Sequence, residues 1–221
     1  MARKAQIAAG GEAASELEHD SRGERTRKQI KQAIARLVSR KDVSEINLAE
    51  ICKAADVTTG ALYFHFKNKD DAIEEMIIDE VREVNAARLA AMTGETFADH
   101  IKVILTLSSR FHRAKKRLPR AIGVVINSRP GAYEAWLAAR RPVISRLEEA
   151  IVRERQLQGL RPDPAPYLAH FILNSLEDLA LDLYQFGNPT LTPFAKTSED
   201  WNARQAALWS WAILAPFTPA A

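Results

Sequence analysis

Val57 to Ile73 reads V-T-T-G-A-L-Y-F-H-F-K-N-K-D-D-A-I, a segment too short and too glycine-broken to be stable as an isolated helix. It nonetheless concentrates aromatic side chains, two threonines, a histidine and two lysines in one small region. Such a segment is either an ordinary turn between core helices or a surface that contacts a charged partner. The flanking sequence separates these two interpretations.

Helical periodicity surrounds this segment on both sides. A short helix should follow Asn47, because this asparagine is a good N-cap and Glu50 stands at the capping-box position. A third short helix should begin near Thr58, and Asn68 should cap a fourth. Before them, the chain carries an apolar stripe that predicts a supporting helix over residues 24–40, formed by Ile30, Ile34, Leu37 and Val38.

Longer helical patterns occupy the rest of the chain, where strand signals are almost absent. The helix near residues 166–186 is apolar around most of its circumference, so it requires cover from both sides. We predict an all-α fold with an N-terminal three-helix helix-turn-helix head and a C-terminal helical body. The predicted body helices lie near residues 96–116, 122–126, 133–158 (where Pro142 can introduce a kink), 166–186 and 198–214.

The composition, 47% hydrophobic and 27% charged, is that of a globular protein. Apolar runs stay well short of the roughly 20 residues that a membrane span needs, and acidic residues occupy the place of a signal-peptide core. We therefore expect a cytoplasmic protein with no membrane partner.

Cys52 is the only cysteine, which excludes an intrachain disulfide and a cysteine-rich zinc site. Since the five histidines are scattered, we expect neither a metal nor a cofactor.

Positive charge is concentrated near the N-terminus. Residues 22–69 contain eleven Lys or Arg and five Asp or Glu, a net charge of +6. Because the whole chain carries +3, the remainder carries −3. This asymmetry is typical of a module that meets a polyanion, although exposed helices that are simply rich in lysine would give the same count.

Two short helices joined by a tight turn and preceded by a longer helix form a helix-turn-helix, whose second helix enters the DNA major groove. The sequence of Leu48 to Ile73, L-A-E-I-C-K-A-A-D-V-T-T-G-A-L-Y-F-H-F-K-N-K-D-D-A-I, resembles the TetR family of bacterial transcriptional regulators. The resemblance implies a repressor that binds a palindromic operator as a homodimer and is released by a small-molecule effector. The predicted domains are a flexible tail (1–21), a DNA-binding domain (22–69) and a ligand-binding and dimerisation domain (70–221).

The segment divides into residues that pack and residues that face DNA. Leu62 and Phe66 should face inward, while the hydroxyl and N–H groups of Thr58 and Thr59 can meet phosphate or a base edge. The ring of Tyr63 should pack with its hydroxyl left free for phosphate, as the resemblance also implies. The predicted DNA-contacting set is Arg27, Asn47, Thr58, Thr59, Gly60, Ala61, Tyr63, Phe64, His65, Lys67 and Lys69.

Alternatives stay open for several members of this set. Tyr63 can be a core residue, and His65, Lys67 and Arg27 can belong to solvated faces. The chain also departs from the family pattern, because Asn47 and Ala49 stand where many relatives have threonine and arginine. Asn47 can still cap and still donate to phosphate, whereas Ala49 supplies no guanidinium.

The body is expected to hold an effector pocket and a dimer interface, both implied by the resemblance. Two helices, 166–186 and 198–214, should form the interface, the second with Trp201, Trp209 and Trp211 as anchors. An ordinary interior helix is the alternative. The candidate ligand-binding residues, which can equally be plain core and surface acids, are Phe97, Phe111, His112, Trp136, Phe171, Asn174, Glu177 and Asp178.

A helical adaptor or an all-α enzyme with an incidental basic head is the competing functional class. An enzyme needs a catalytic constellation, and the sequence carries no H-E-x-x-H, G-x-S-x-G, Walker A or dinucleotide-binding motif. An adaptor has no need for Tyr63 or Lys69. The sequence therefore favours a DNA-binding regulator that is not an enzyme.

Overall fold

The computed structural model describes residues 22–216, and all regular secondary structure in this part of the chain is helical. The predicted N-terminal tail (1–21) lies outside the described residues. Two single-turn 3₁₀ helices, Val43–Glu45 and Thr192–Phe194, interrupt the α-helical order. The α-helices are α1 (22–38), α2 (Leu48–Ala55), α3 (Thr59–His65), α4 (Lys69–Ala91), α5 (Phe97–Ala114), α6 (Leu118–Ser128), α7 (Pro130–Leu157), α8 (Ala165–Tyr184) and α9 (Ser198–Ala212).

The chain forms two compact units that divide within α4, the head up to Ile77 and the body from Ile78 onward. The predicted functional boundary after residue 69 falls at the start of the same helix and stays a prediction. Within residues 22–216, no helix is both long enough and apolar enough to cross a membrane.

The head is a small helical core built on the predicted stripes. The inward residues of α1 and α2 are buried, and the side chains of Leu62 and Phe66 are 0% and 5% exposed, as predicted. Cys52 is a core residue, 7% exposed. Side chains of α1 also satisfy the carbonyl groups at the C-terminus of α2, since Gln29 donates to Ala55 O at 2.6 Å.

Polar caps set where the head helices begin. The Asn47 side chain accepts a hydrogen bond from the Glu50 N–H at 3.0 Å, and the Glu50 carboxylate accepts one from the Asn47 N–H, which completes the predicted capping box. Asn68 Oδ1 accepts from the Asp71 N–H at 2.9 Å, so the predicted cap of α4 is confirmed.

The body encloses its own apolar core with α5, α7, α8 and α9. Two predicted helices differ from the structure. The helix α6 is longer than predicted and spans Leu118–Ser128, because Pro119 suits the first turn of a helix. The helix α7 continues through the exposed Pro142 without a break.

The prediction of Trp201 as an interface anchor is wrong, since its side chain is 4% exposed and packs in the core of its own chain. On the same helix, Trp211 is 73% exposed.

Candidate nucleic-acid interface

The turn between α2 and α3 is closed by a left-handed residue. Asp56 adopts φ 52° and ψ 49°, a conformation that costs Asp less than most residues. The Val57 N–H donates to Cys52 O at 3.0 Å, which seals the end of α2. The chain then becomes extended at Thr58, whose Oγ1 accepts from the Ala61 N–H at 3.1 Å and caps α3. Two successive caps thus fix the angle between the two short helices.

One edge of α3 faces solvent while the other is locked in the head core. Thr58, Thr59 and Gly60 are exposed, followed by Tyr63 at 53% and Phe64 at 74% exposure. These five residues and the partly exposed Ala61 are called the exposed edge of α3 below. The ring of Tyr63 is less packed than predicted, because its position on the helix leaves more than half of the side chain uncovered.

Arg27 holds the end of α3 to α1 and α4. Its Nη1 donates to His65 O at 2.6 Å, and its guanidinium lies 4.4 Å from the centre of the Phe66 ring. Its Nε donates to Glu75 Oε1 at 2.8 Å, with a second contact from Nη2 to Oε2. The guanidinium predicted to contact DNA is therefore engaged inside the head.

Lys31 also contacts Glu75, at 3.1 Å. The hydrogen bond from Arg27 is the main cause that lowers the pKa of Glu75, with burial opposing it and Lys31 adding to it. Partial burial, and then the charge of Arg27, lower the pKa of His65. Both causes favour the neutral form of the His65 imidazole.

The other charged and polar residues predicted to contact DNA differ in whether their side chains are exposed or bound to the rest of the head. Lys69 donates to Ile46 O at 2.9 Å and lies 3.5 Å from Asp70, so its ammonium group is held against the head. Lys67 and Asn47 are exposed. Of the predicted DNA-contacting residues, the structure places Lys67 and Asn47 at the surface with the exposed edge of α3, and it turns Arg27 and Lys69 toward internal partners.

Residues 30–76 match the family model described as bacterial regulatory proteins, tetR family. The matched range begins on the buried stripe of α1 and ends within α4, so it contains the whole exposed edge of α3. These residues form a TetR-family DNA-binding domain. The resemblance seen in Leu48 to Ile73 is confirmed, and the match of this segment to transcriptional regulators also supports a regulator rather than an enzyme.

The chain is similar over this segment to two proteins described as HTH-type transcriptional regulators. It is 47% identical to AcrR of Shigella flexneri over 64 residues, which cover 29% of each chain. It is 34% identical to TtgR of Pseudomonas putida over 74 residues, which cover 34% of this chain and 35% of TtgR. The chain thus spans about a third of the length of these relatives.

Two solved structures extend the likeness over most of the fold. A putative transcriptional regulator from Pseudomonas aeruginosa PAO1 has a TM-score of 0.71 at 14% identity, with 86% of this chain and 91% of that chain covered. A TetR family transcription regulator from Marinobacter aquaeolei VT8 has a TM-score of 0.63 at 20% identity, with 88% and 97% covered. At these identities the likeness concerns the fold alone, and it confirms the predicted all-α class with a helix-turn-helix head.

A second polar site lies in the body, and the sequence predicted only part of it. Glu177 accepts from Arg88 Nη1 and from Arg140 Nη2, each at 2.8 Å. Asn174 Oδ1 accepts from Arg140 Nη2 at 2.8 Å, and the Arg140 guanidinium lies 4.0 Å from the centre of the Trp136 ring. The group formed by Arg88, Arg140, Trp136, Asn174 and Glu177 is called the arginine cluster below.

The other candidate ligand residues are distributed differently. His112 is buried close enough to Glu177 and Arg88 for their charges to influence its pKa, which burial lowers to about 4. Phe97 is 1% exposed in the apolar core, and Phe171 is 48% exposed on the surface of α8. Two more members lie outside the cluster: Phe111 lines a surface groove, and Asp178 is exposed. The sequence missed Arg88 and Arg140, because an arginine on a helix gives no local sign that its partner lies on another helix.

Proposed function

We propose that this protein is a transcriptional repressor that binds a palindromic DNA operator as a homodimer and is released by a small-molecule effector. It would act in the cytoplasm, where its DNA target lies. The observation that carries the proposal is the exposed edge of α3. Thr58, Thr59 and Gly60 face solvent on a helix whose opposite side is anchored by Leu62 and Phe66.

The exposed edge suits the major groove for two physical reasons. Its first residues are small, so the helix backbone can approach the groove wall, and their hydroxyl groups can meet a base edge or a phosphate. Within 4 Å, an added Cβ at Gly60 would meet only Thr58 Oγ1, at 3.9 Å, so no other part of the head crowds this backbone. Tyr63 and Phe64 then offer a hydroxyl and a ring at the rim.

Electrostatics support the same surface. The segment from residue 22 to 69 carries a net charge of +6, and Lys67 stands exposed directly after α3. Arg27 and Lys69 contribute in our proposal by holding α3 and the loop before α2 in place rather than by gripping phosphate. Because phosphate contacts release counterions, DNA affinity should fall steeply as the salt concentration rises.

The homodimer is proposed to form through α8 and α9. Tyr167 and Phe171 stack on α8 at 5.9 Å and are 62% and 48% exposed. The Phe171 ring also meets the Trp209 ring edge-to-face at 5.9 Å, and Leu208 and Trp211 are exposed on α9. Aromatic side chains are enriched at interfaces, and a patch repeated on an identical chain can pair with itself about a two-fold axis. A palindromic operator mirrors such an axis.

Release by an effector requires that the effector binds the DNA-free conformation more tightly than the DNA-bound one. The body is the proposed effector domain, because it holds the buried arginine cluster.

Genomic footprinting with the purified full-length chain tests this function. The expected result is protection of a small number of inverted-repeat sites, with half-sites about one helical turn apart. Binding at those sites should weaken as salt rises, which fluorescence anisotropy with a labelled site measures. Absence of any protected site, together with anisotropy that does not respond to salt, would favour the protein-adaptor alternative.

A further inference from the structure

The arginine cluster places two guanidinium groups in the interior of the body. Arg88 is 3% exposed and Arg140 is 1% exposed, and the carboxylate that they share belongs to Glu177. Burial would raise the pKa of Glu177, but the two arginines outweigh it and hold the pKa below its usual value. His112 beside them is neutral at pH 7, because burial lowers its pKa to about 4. Two buried positive charges therefore share the negative charge of Glu177, whose side chain is partly exposed.

Two donors of this cluster lack a partner within the described residues. Nε of Arg88 and Nε of Arg140 are buried and make no hydrogen bond there, and Nδ1 of the nearby His112 is likewise buried without a partner. Buried polar groups are nearly always hydrogen-bonded, and an unpaired buried charge is costly. Asp178, the acidic neighbour of Glu177, is exposed, and its charge also acts on Arg140. An excess of positive charge and free N–H donors is the environment that favours a bound anion.

An apolar groove lies beside the cluster. It has a volume of about 340 Å³ and is lined mainly by alanine, leucine and proline side chains between α4 and α7. Its lining includes Asn85, whose Oδ1 accepts from Arg88 Nη1 at 3.1 Å, so a residue of the groove contacts the cluster. It also includes Ala139, the chain neighbour of Arg140. The groove is large enough for a small organic molecule and offers little hydrogen bonding of its own.

We propose that the body binds a small organic carboxylate, with its apolar part in the groove beside Asn85 and its carboxylate taken by Arg88 and Arg140. This inference rests on the proposed function, for which it names the chemical class of the effector. Glu177 acts as an internal carboxylate that occupies the guanidinium groups while the ligand is absent. Asn174 and the Trp136 ring position Arg140, since they hold its guanidinium from two sides.

If the arginine cluster had only a structural role, the experimental outcomes would differ from those expected for a ligand site. Arg88, Ser108, Arg140 and Glu177 lie on four helices, α4, α5, α7 and α8, so their hydrogen bonds could serve only to pin these helices together. In that case removing the carboxylate of Glu177 would destabilise the body, and added acids would have no effect. If the cluster is a carboxylate site, the same change leaves a cavity of greater positive charge that binds an added acid more tightly.

Calorimetric titration and thermal unfolding with matched ligands distinguish these roles. The probes are sodium benzoate, 4-phenylbutyrate and octanoate, each compared with its own neutral amide and with sodium chloride at equal ionic strength. We expect at least one acid to bind the wild-type chain and raise its melting temperature, while its amide does neither. Arg140→Gln should weaken this binding about tenfold to hundredfold, as expected for a lost charge-assisted hydrogen bond. Arg146→Gln on the same helix is the control and should bind the acid unchanged.

Glu177→Gln keeps the proposal testable even if Arg140→Gln fails to fold. This variant should bind the same acid more tightly than the wild-type chain does. The proposal is overturned if none of the acids binds either chain, if the amides or chloride stabilise as well as the acids, or if Glu177→Gln weakens binding. DNA binding is measured in parallel without ligand: a wild-type chain that binds its operator but no acid refutes this inference alone, whereas a chain that binds no DNA refutes the proposed function.

Discussion

Arg27 and Glu75 join the first and last helices of the head through two side-chain contacts, one of them from Nε to Oε1 at 2.8 Å. The same guanidinium donates to His65 O, the carbonyl of the last residue of α3. The pair therefore links the position of α3 to α1 and α4. An arginine that looks like a phosphate contact in the sequence is, in the fold, a support for the helix that is proposed to read DNA.

Arg27→Gln and Glu75→Gln should both weaken operator binding, by about threefold to tenfold, because each releases the end of α3. If Arg27 touched phosphate directly, the two changes would act in opposite directions, since loss of the Glu75 charge would make the head more positive. Fluorescence anisotropy with one operator fragment measures both variants. Tighter binding by Glu75→Gln would contradict the supporting role.

Tyr63→Phe should weaken operator binding about fivefold to tenfold, because it removes one hydroxyl donor and leaves the ring in place. Tyr63 is 53% exposed, so the change should leave the melting temperature of the head unaltered. Tyr133→Phe is the matched control, since Tyr133 is 49% exposed on α7 and has no proposed role in DNA binding. Equal affinity of the Tyr63→Phe and wild-type chains would remove Tyr63 from the interface.

The head could be predicted from sequence because its determinants are local. Asn47 and Asn68 cap helices that begin at the next residue, and the burial of Leu62 and Phe66 follows from helical spacing. The exception is Lys69, whose ammonium meets a carbonyl 23 residues away, at Ile46. A lysine at the start of a helix looks the same in the sequence whether its charge is free or held.

The two arginines of the cluster could not be predicted from the sequence, because their partners are remote. Arg88 and Glu177 are 89 residues apart, and Arg140 and Glu177 are 37 apart. A charged residue on an amphipathic helix predicts a solvated face, and only the packing of separate helices turns these two arginines inward. The prediction for Trp201 failed for the same reason: the amphipathic pattern of α9 is weak, so the sequence does not show which face of this helix packs against the rest of the body.

Ala49→Arg should strengthen DNA binding, because it supplies the guanidinium that many family members carry at this position. Ala49 is exposed on α2, so the change should not disturb the core. One added phosphate contact should steepen the slope of log affinity against log salt by about 0.9. The comparison is with Ala203→Arg, which adds the same charge at an exposed position of α9. An equal gain from both changes would show that only net charge matters.

His112 should make the stability of the body depend on pH. Burial lowers its pKa to about 4 in the fold from an ordinary value of 6.5, so its contribution to stability is full above pH 6.5 and is lost progressively as the pH falls from 6.5 through 4. Between about pH 7.5 and about pH 5, this residue alone should lower the free energy of unfolding by about 2 kcal/mol. Urea denaturation at both pH values measures it. His112→Gln should show a drop smaller by that amount, whereas His170→Gln, which removes an exposed histidine of α8, should keep the wild-type drop.

Trp211→Glu should convert the proposed dimer to a monomer at micromolar concentration and weaken operator binding with it. Trp211 is 73% exposed on α9, and a charge in the centre of an apolar interface is left unpaired and desolvated. Analytical ultracentrifugation gives the mass of each species, and anisotropy gives the DNA affinity of the same preparation. Phe194→Glu is the control: Phe194 is 55% exposed but lies in the 3₁₀ turn before α9, outside the proposed interface. A Trp211→Glu chain that remains dimeric would place the two-fold contact elsewhere on the body.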